Sequence, residues 1–367
     1  MTTPAASTPM TSTFMVHDAA VAKVSEHALP GWLTDPAGPL GPDAVIIDGQ
    51  RLRYWGLSEV WRIQLVAPVP RSVIVKRGTG EMAVEAGRYQ SLVVPLGIVA
   101  PRLLAATGGV GGEPVVLVLE DVGQTTLEER PTAEGYREAV RGLARMRATA
   151  ARSLAVQNPA ARNLAVQNPA ARNLATWNIA APNLADQPAI GTEIFWGKDD
   201  FVDATHRAAS GISALRPDLA GALDTTTSVL VQRLDRIDDE PNTIVHGDFQ
   251  AKNLIHADAG RIIAVDWPGA YIHSHLGDLY CLIRDADRQG LTLDVDTAAL
   301  PKVFAREAGM DRDQVADQLI TGGLCWTILA LRWVVEEGIH AVPESRDWIE
   351  ELVTDCRRLS DAGDENP

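Results

Sequence analysis

The chain has 367 residues, of which 46% are apolar and 22% charged, and it carries a net charge of −15. Single cores stop growing near ~250 residues, so this length calls for two lobes or one domain with insertions, and the proportions exclude a largely disordered chain. The acidity argues against nucleic acid and anionic membranes as partners, and favours a cationic small ligand if the negative charge gathers around a cleft.

Residues 1–14 are rich in Thr, Ser, Ala and Pro, without the basic start or apolar run of a secretory signal, and read as a flexible tail. A weakly helical stretch, Ala19–Leu29, runs into the Pro- and Gly-rich residues Pro30–Pro42, so residues 1–40 are expected to precede the folded part. Short β-rich runs follow at Ala44–Ile47, Leu52–Trp55, Val60–Val66 and Ser72–Lys76, punctuated by Asp48-Gly49, Gly56, Pro68 and Pro70 as in an antiparallel meander. Met82, Ala86, Tyr89 and Val93 then give Glu81–Val94 a helical spacing. Pro101–Ala105 and Pro114–Leu119 predict two further strands, separated by Gly108, Gly109, Gly111 and Gly112.

From Pro131 the texture turns helical, with helices expected over Glu134–Ala151, His206–Ile237, Asp311–Glu337 and Arg346–Leu359. One strand-rich island, Thr243–Trp267, lies between them. The fold class is therefore α+β, with a small β-rich lobe at 41–120 and a larger, mainly helical lobe at 121–367. Within the second lobe, residues 153–187 carry a five-residue period, with Asn158, Asn163, Asn168, Asn173, Asn178 and Asn183 each followed by Leu, Pro or Ile and then Ala. Five matches neither a helix nor a strand, and Pro159, Pro169 and Pro182 would interrupt a helix. A tandem duplication lying as short helical turns or loop is expected, rather than a solenoid.

No stretch approaches the ~20 apolar residues of a membrane span. Cys281, Cys325 and Cys356 are far apart, without metal-ligand spacing, which fits a reducing cytoplasm.

The island carries the chemistry. Thr243–Val245 is a short apolar strand delivering His246-Gly247-Asp248 to its end, and Leu254–His256 and Arg261–Val265 form a hairpin after which Asp266 emerges. Two carboxylates thus leave neighbouring strand ends and can face one site. Phosphoryl transfer requires a carboxylate at the attacking hydroxyl and oxygen ligands that hold Mg²⁺ against the β- and γ-phosphates. Asp248, Asn253 and Asp266 supply that set.

The series His-Gly-Asp, four residues, Asn, then an apolar strand ending in Asp resembles the catalytic motif of the aminoglycoside phosphotransferase and choline kinase superfamily. The resemblance implies a protein-kinase-like bilobal fold, with an N-lobe of antiparallel sheet plus one helix that binds ATP. Carried over by position, it makes Asp248 the catalytic base, Asn253 and Asp266 the Mg²⁺ ligands, Asp278 the buried brace of the catalytic loop and His246 a support for that loop. The family also needs a strand Lys paired with a Glu on the next helix. Lys76 ends the run Val73-Ile74-Val75, and Glu85 or Glu81 follows it. Gly56-Leu57-Ser58-Glu59 is expected to cover the phosphates, with Ser58 bonding an oxygen. Backbone groups near Glu120 and Val122 are expected to meet adenine. Arg147 stands where the family usually has a His.

The implied activity is transfer of the ATP γ-phosphate to a hydroxyl of a small molecule, an aminoglycoside-like amine or else a choline- or sugar-type metabolite. Asp285, Asp287, Asp311, Asp313, Asp317, Glu336 and Glu337 are candidates to line a cationic acceptor's pocket. A catalytically idle nucleotide-binding scaffold is the alternative of another class. A protein kinase lacks support, because no Ala-Pro-Glu signature follows Asp266.

Overall fold

A computed structural model describes residues 22–24, 29–35, 38–67, 71–108, 113–157, 194–288 and 296–362. The tail at 1–14 and the Asn-rich repeat beyond Gln157 lie outside them.

The first lobe is a six-stranded antiparallel sheet in the order β1 (Ala22–Val24), β2 (Val45–Trp55), β3 (Ser58–Ala67), β4 (Arg71–Gly78), β6 (Val115–Glu120), β5 (Leu103–Thr107). Side chains alternate across it. Trp61, Ile63, Val73, Val75, Val116 and Val118 bury one face, and Leu117 and Leu119 face the other, with Tyr89 and Leu92. The expected helix after β4 is present in three pieces: a 3₁₀ turn Gly80–Val84, α1 (Glu85–Arg88) and a π-helical turn Tyr89–Val93.

Three expectations for this lobe change. The expected helix at Ala19–Leu29 contains instead the edge strand β1, which pairs Ala22–Val24 with Gly49–Arg51. Pairing of this kind runs through backbone groups, which leave no side-chain period to read. Asp48-Gly49 is no turn: the runs on either side form one strand with register shifts, and Gly49 lies close under Leu29, where a Cβ would clash. The β2–β3 turn is only Gly56-Leu57, so Ser58 and Glu59 belong to β3.

The second lobe is built on α2 (Ala133–Gln157), α3 (Lys198–Leu215), α4 (Thr226–Arg236), α5 (Gly277–Arg288), α6 (Leu300–Ala308), α7 (Arg312–Trp333) and α8 (Trp348–Asp361). The predicted single helix at His206–Ile237 is two, broken where Pro217 cannot continue the ladder. Helices α5 and α6 and the strand β10 (Tyr271–His273) have no counterpart in the sequence reading. β10 pairs with β7 (Thr243–Val245), and β8 (Leu254–His256) pairs with β9 (Ile262–Ala264) as the expected hairpin.

Helix α7 positions the site from behind. Gly322 abuts the start of α5, where an added Cβ would stand 2.3 Å from Gly277 N, so only glycine lets the two helices meet there. The stretch Arg312–Ala341 is long enough and, at a hydropathy of 1.4, apolar enough to cross a membrane by composition, contrary to the sequence reading. Yet 56% of that window is buried inside the lobe, in the core with Phe201, Ile349 and Val353.

Candidate active site

The two lobes meet at Lys76. It lies on the face of β4 that looks into the cleft, directly across from Val60 on β3 and Leu117 on β6. Its Nζ forms ion pairs with Glu85 Oε2 and Asp266 Oδ1. Glu85, fully buried, also accepts the Trp267 N–H on Oε1 at 3.0 Å, so one carboxylate ties sheet, helix and the end of the β8–β9 hairpin together. Burial pushes the Glu85 carboxyl up in pKa against the pull of Lys76. Burial alone would lower Lys76, but Asp266 and Glu85 outweigh it and hold the ammonium charged. Glu81, the other candidate partner, instead faces Glu337, Arg332 and Glu336.

Asp266 takes a left-handed backbone, φ 71°, which only a few per cent of non-glycine residues adopt, Asp and Asn foremost. Arg53 Nη1 stands 3.6 Å from its Oδ2. Burial raises its pKa, and Lys76 and then Arg53 more than reverse this, leaving it well below the usual carboxylate range.

Asp248 sits across the cleft floor. Its Oδ1 accepts Gln250 Nε2 at 2.6 Å, its Oδ2 accepts Asn253 Nδ2 at 2.8 Å, and Lys252 Nζ is 3.3 Å from Oδ2. Asn253 is buried and donates also to Asp248 O at 2.9 Å, so its amide nitrogen is fixed on the loop and its oxygen is directed elsewhere. The loop is braced underneath. His246 N and Gly247 N donate to the two carboxylate oxygens of Asp278, at 2.7 and 3.0 Å. The His246 ring meets Val265 O through Nε2 and Asp248 N through Nδ1, at 3.1 and 3.3 Å. Only the tautomer with a proton on Nε2 satisfies both contacts, so both ring nitrogens are committed to backbone groups.

The remaining expected residues take other places. Ser58 Oγ is buried without a hydrogen-bond partner among the described residues. Glu120 N–H donates to Arg102 O at 2.9 Å, so that donor is not free for a base, while Val122 is half-buried beside Asp121. Asp121 anchors this passage to the sheet, bonded by Arg62 Nε at 2.8 Å and Ser72 Oγ at 2.5 Å. Buried Arg147 donates to Ser274 O and to His275 O, holding the segment that leads into Asp278.

Several carboxylates nominated for a cationic pocket are engaged in structure. Asp285 accepts Ala251 N–H at 2.9 Å, Asp287 accepts Thr297 Oγ1 at 2.8 Å and Asp311 caps α7. Asp317 pairs with Arg233 and Arg236, and Glu336 with Arg207 and Arg332.

Sequence reasoning missed Arg53 and Lys252. Lys252 lay within the motif's variable positions, and the aim of Arg53 depends on a strand irregularity that no residue pattern announces.

A bilobal α+β fold with a lysine–glutamate pair facing a loop of Asp and Asn defines a small-molecule kinase of the protein-kinase-like class. A sequence model described as the phosphotransferase enzyme family, APH, matches residues 74–312, and the chain belongs to that family. Solved structures of the same fold include a thermostable mutant of aminoglycoside phosphotransferase APH(4)-Ia in its apo form, at 14% identity and a TM-score of 0.53, covering 88% of this chain and 96% of that one. Another is a Ralstonia eutropha JMP134 protein assigned as an aminoglycoside phosphotransferase, at 12% identity and a TM-score of 0.51, covering 87% of this chain and 93% of that one. No curated protein matches the chain in sequence.

Proposed function

We propose that the protein transfers the γ-phosphate of ATP to a hydroxyl of a small molecule, with Asp248 accepting the hydroxyl proton. The observation that carries this is the convergence of Lys76, Asp266, Asn253 and Asp248 on one cleft. Lys76, held charged by Glu85 and Asp266, would meet the α- and β-phosphates. Asp248 is the part-exposed carboxylate of the loop, and two amide donors and Lys252 keep it oriented. His246 orients that loop through both ring nitrogens, and Asp278 braces it.

Mg²⁺ suits the oxygens present. Among the described residues no group of three or more His, Cys, Asp or Glu could hold a metal alone. Mg²⁺ is commonly held by one or two protein oxygens plus substrate phosphates, and here Asp266 and the Asn253 amide oxygen would hold it. When bound, it would offset phosphate charge and orient the terminal phosphoryl group.

An amine-bearing acceptor is supported by the net charge of −15 and by Glu81, whose electrostatic neighbours include Glu337 and Glu336. Burial and then Glu337 push the Glu81 pKa up, while Arg332 pulls it down. A neutral sugar- or choline-type alcohol is the competing acceptor. The test is ADP release with MgATP against a panel of aminoglycosides, amino alcohols and sugars. Acceptor-dependent release is expected, falling by roughly 10²–10⁴-fold in Asp248→Asn. Release that ignores every acceptor, or that survives Asp248→Asn, would refute the assignment.

A further inference from the structure

We infer that Arg53 is a second phosphate-binding cation of the nucleotide site, selective for the β- and γ-phosphates over the nucleoside. This rests on the nucleotide reading above and deepens it.

Residues paired across an antiparallel sheet point to the same face, and successive residues along a strand alternate. Arg51 is paired with Trp61, and Trp61 with Val75 and then Val118, all in the core on the face away from the cleft. Arg53, two residues on, would join that face in a regular strand. A register shift between Arg51 and Arg53 leaves Leu52 without an opposite residue and sets Arg53 across from Val60, whose next partner is Lys76. One extra residue thus turns Arg53 to the Lys76 face, as bulges re-aim side chains beside functional sites.

The contact agrees with the register. Arg53 reaches Asp266 at 3.6 Å, on the oxygen that Lys76 does not take, and its side chain is 28% exposed. It is therefore a loosely held guanidinium at the phosphate end of the cleft. It stands three residues before Gly56, and the Gly56-Leu57 turn is only two residues long and so has few backbone amides to offer a phosphate. Arg53 supplies the positive charge that a glycine-rich loop would otherwise provide. Guanidinium suits the task, since it binds phosphate oxygens in pairs.

Calorimetric titration of the full chain with ATP, ADP and adenosine tests this, using wild type, Arg53→Gln, Arg53→Lys and Arg51→Gln. Arg53→Gln is expected to weaken ATP and ADP by about 10-fold, in the range of one charge-assisted contact, and to leave adenosine unchanged. Arg53→Lys should recover part of the loss, and Arg51→Gln, on the opposite face, should match wild type. Unchanged ATP affinity in Arg53→Gln, or equal loss for adenosine, overturns the inference while leaving the kinase assignment standing. A wild type that binds none of the three overturns the nucleotide reading itself. Circular dichroism establishes that each variant is folded, and Arg53→Lys carries the test if Arg53→Gln is not.

Discussion

Asp278 holds the backbone of His246 from below, its Oδ2 accepting the His246 N–H at 2.7 Å while its other oxygen takes the N–H of Gly247. Burial raises the carboxyl's pKa, and the two N–H groups oppose that rise. Gly247 in turn has φ 86°, and an added Cβ would stand 2.5 Å from Gly269 O, so the loop is pinned on both sides. Asp278→Asn keeps the shape but leaves one of the two N–H groups facing an amide NH₂. A loss of about 2–4 kcal/mol in urea unfolding is expected, with phosphotransfer reduced more than ~10-fold. Full stability in that variant would mean that the loop does not depend on the brace.

The Lys76–Glu85 pair makes an asymmetric prediction. Lys76→Met leaves Glu85 buried with only the Trp267 N–H to stabilise its charge. Breaking a buried pair on one side costs about 3–5 kcal/mol, whereas removing both charges often costs little. Lys76→Met combined with Glu85→Gln should therefore regain part of the stability lost in Lys76→Met alone, while ATP turnover stays abolished in both. Equal unfolding midpoints for the single and double variants would show that the two side chains are not energetically coupled.

A pH dependence follows from the β10–α5 connection. His273 is pulled down from 6.5 to about 4, by burial and then by the Arg147 guanidinium, and its Nδ1 accepts the His275 N–H at 3.2 Å. Phe201 meets it edge-on at 5.2 Å and the His275 ring lies 4.7 Å away, so no carboxylate is among these neighbours to favour the imidazolium. Below pH 6.5 the unfolded chain takes up a proton that the folded protein refuses. The stabilisation is complete above 6.5 and drains as pH falls towards 4, at about 1.4 kcal/mol per pH unit and about 3 kcal/mol in all. Thermal midpoints of wild type should fall across that window, and those of His273→Asn should fall less steeply. Parallel slopes would assign the acid lability to other groups, His275 first among them.

How far the sequence could be read depended on whether a feature lives in side-chain order or in backbone pairing. His246, Asp248, Asn253 and Asp266 were legible because their spacing repeats a chemical requirement, and strands such as Val115–Glu120 because they are continuously apolar. Arg53 was not, since its direction depends on a one-residue slip in β2 that Leu52 does nothing to advertise. The β1 edge strand was hidden for a related reason: three residues, Ala22–Val24, pair through their peptide groups and show no period. Arg147 was visible as a departure from the family's pattern, yet its purpose, to bond two carbonyls over 120 positions away, depends on the folded chain.

Asp285 yields the last prediction, because its position in the sequence suggested an acceptor pocket while its contact is internal. Its Oδ2 accepts the N–H of Ala251 at 2.9 Å, so α5 grips the loop between Asp248 and Asn253 at a second point, independent of Asp278. Asp285→Ala removes the acceptor and leaves a buried N–H unpaired at Ala251, for an expected cost of about 1–3 kcal/mol. Asp285→Asn retains an oxygen that can accept the same bond, and should keep both stability and turnover near wild type. A residue that read an acceptor's positive charge would behave differently: Asp285→Asn would then raise KM for a cationic acceptor as much as Asp285→Ala does, with kcat little changed. Measuring kcat and KM for both variants against an amine-bearing and a neutral acceptor separates the two, and a charge-dependent KM would overturn the bracing role.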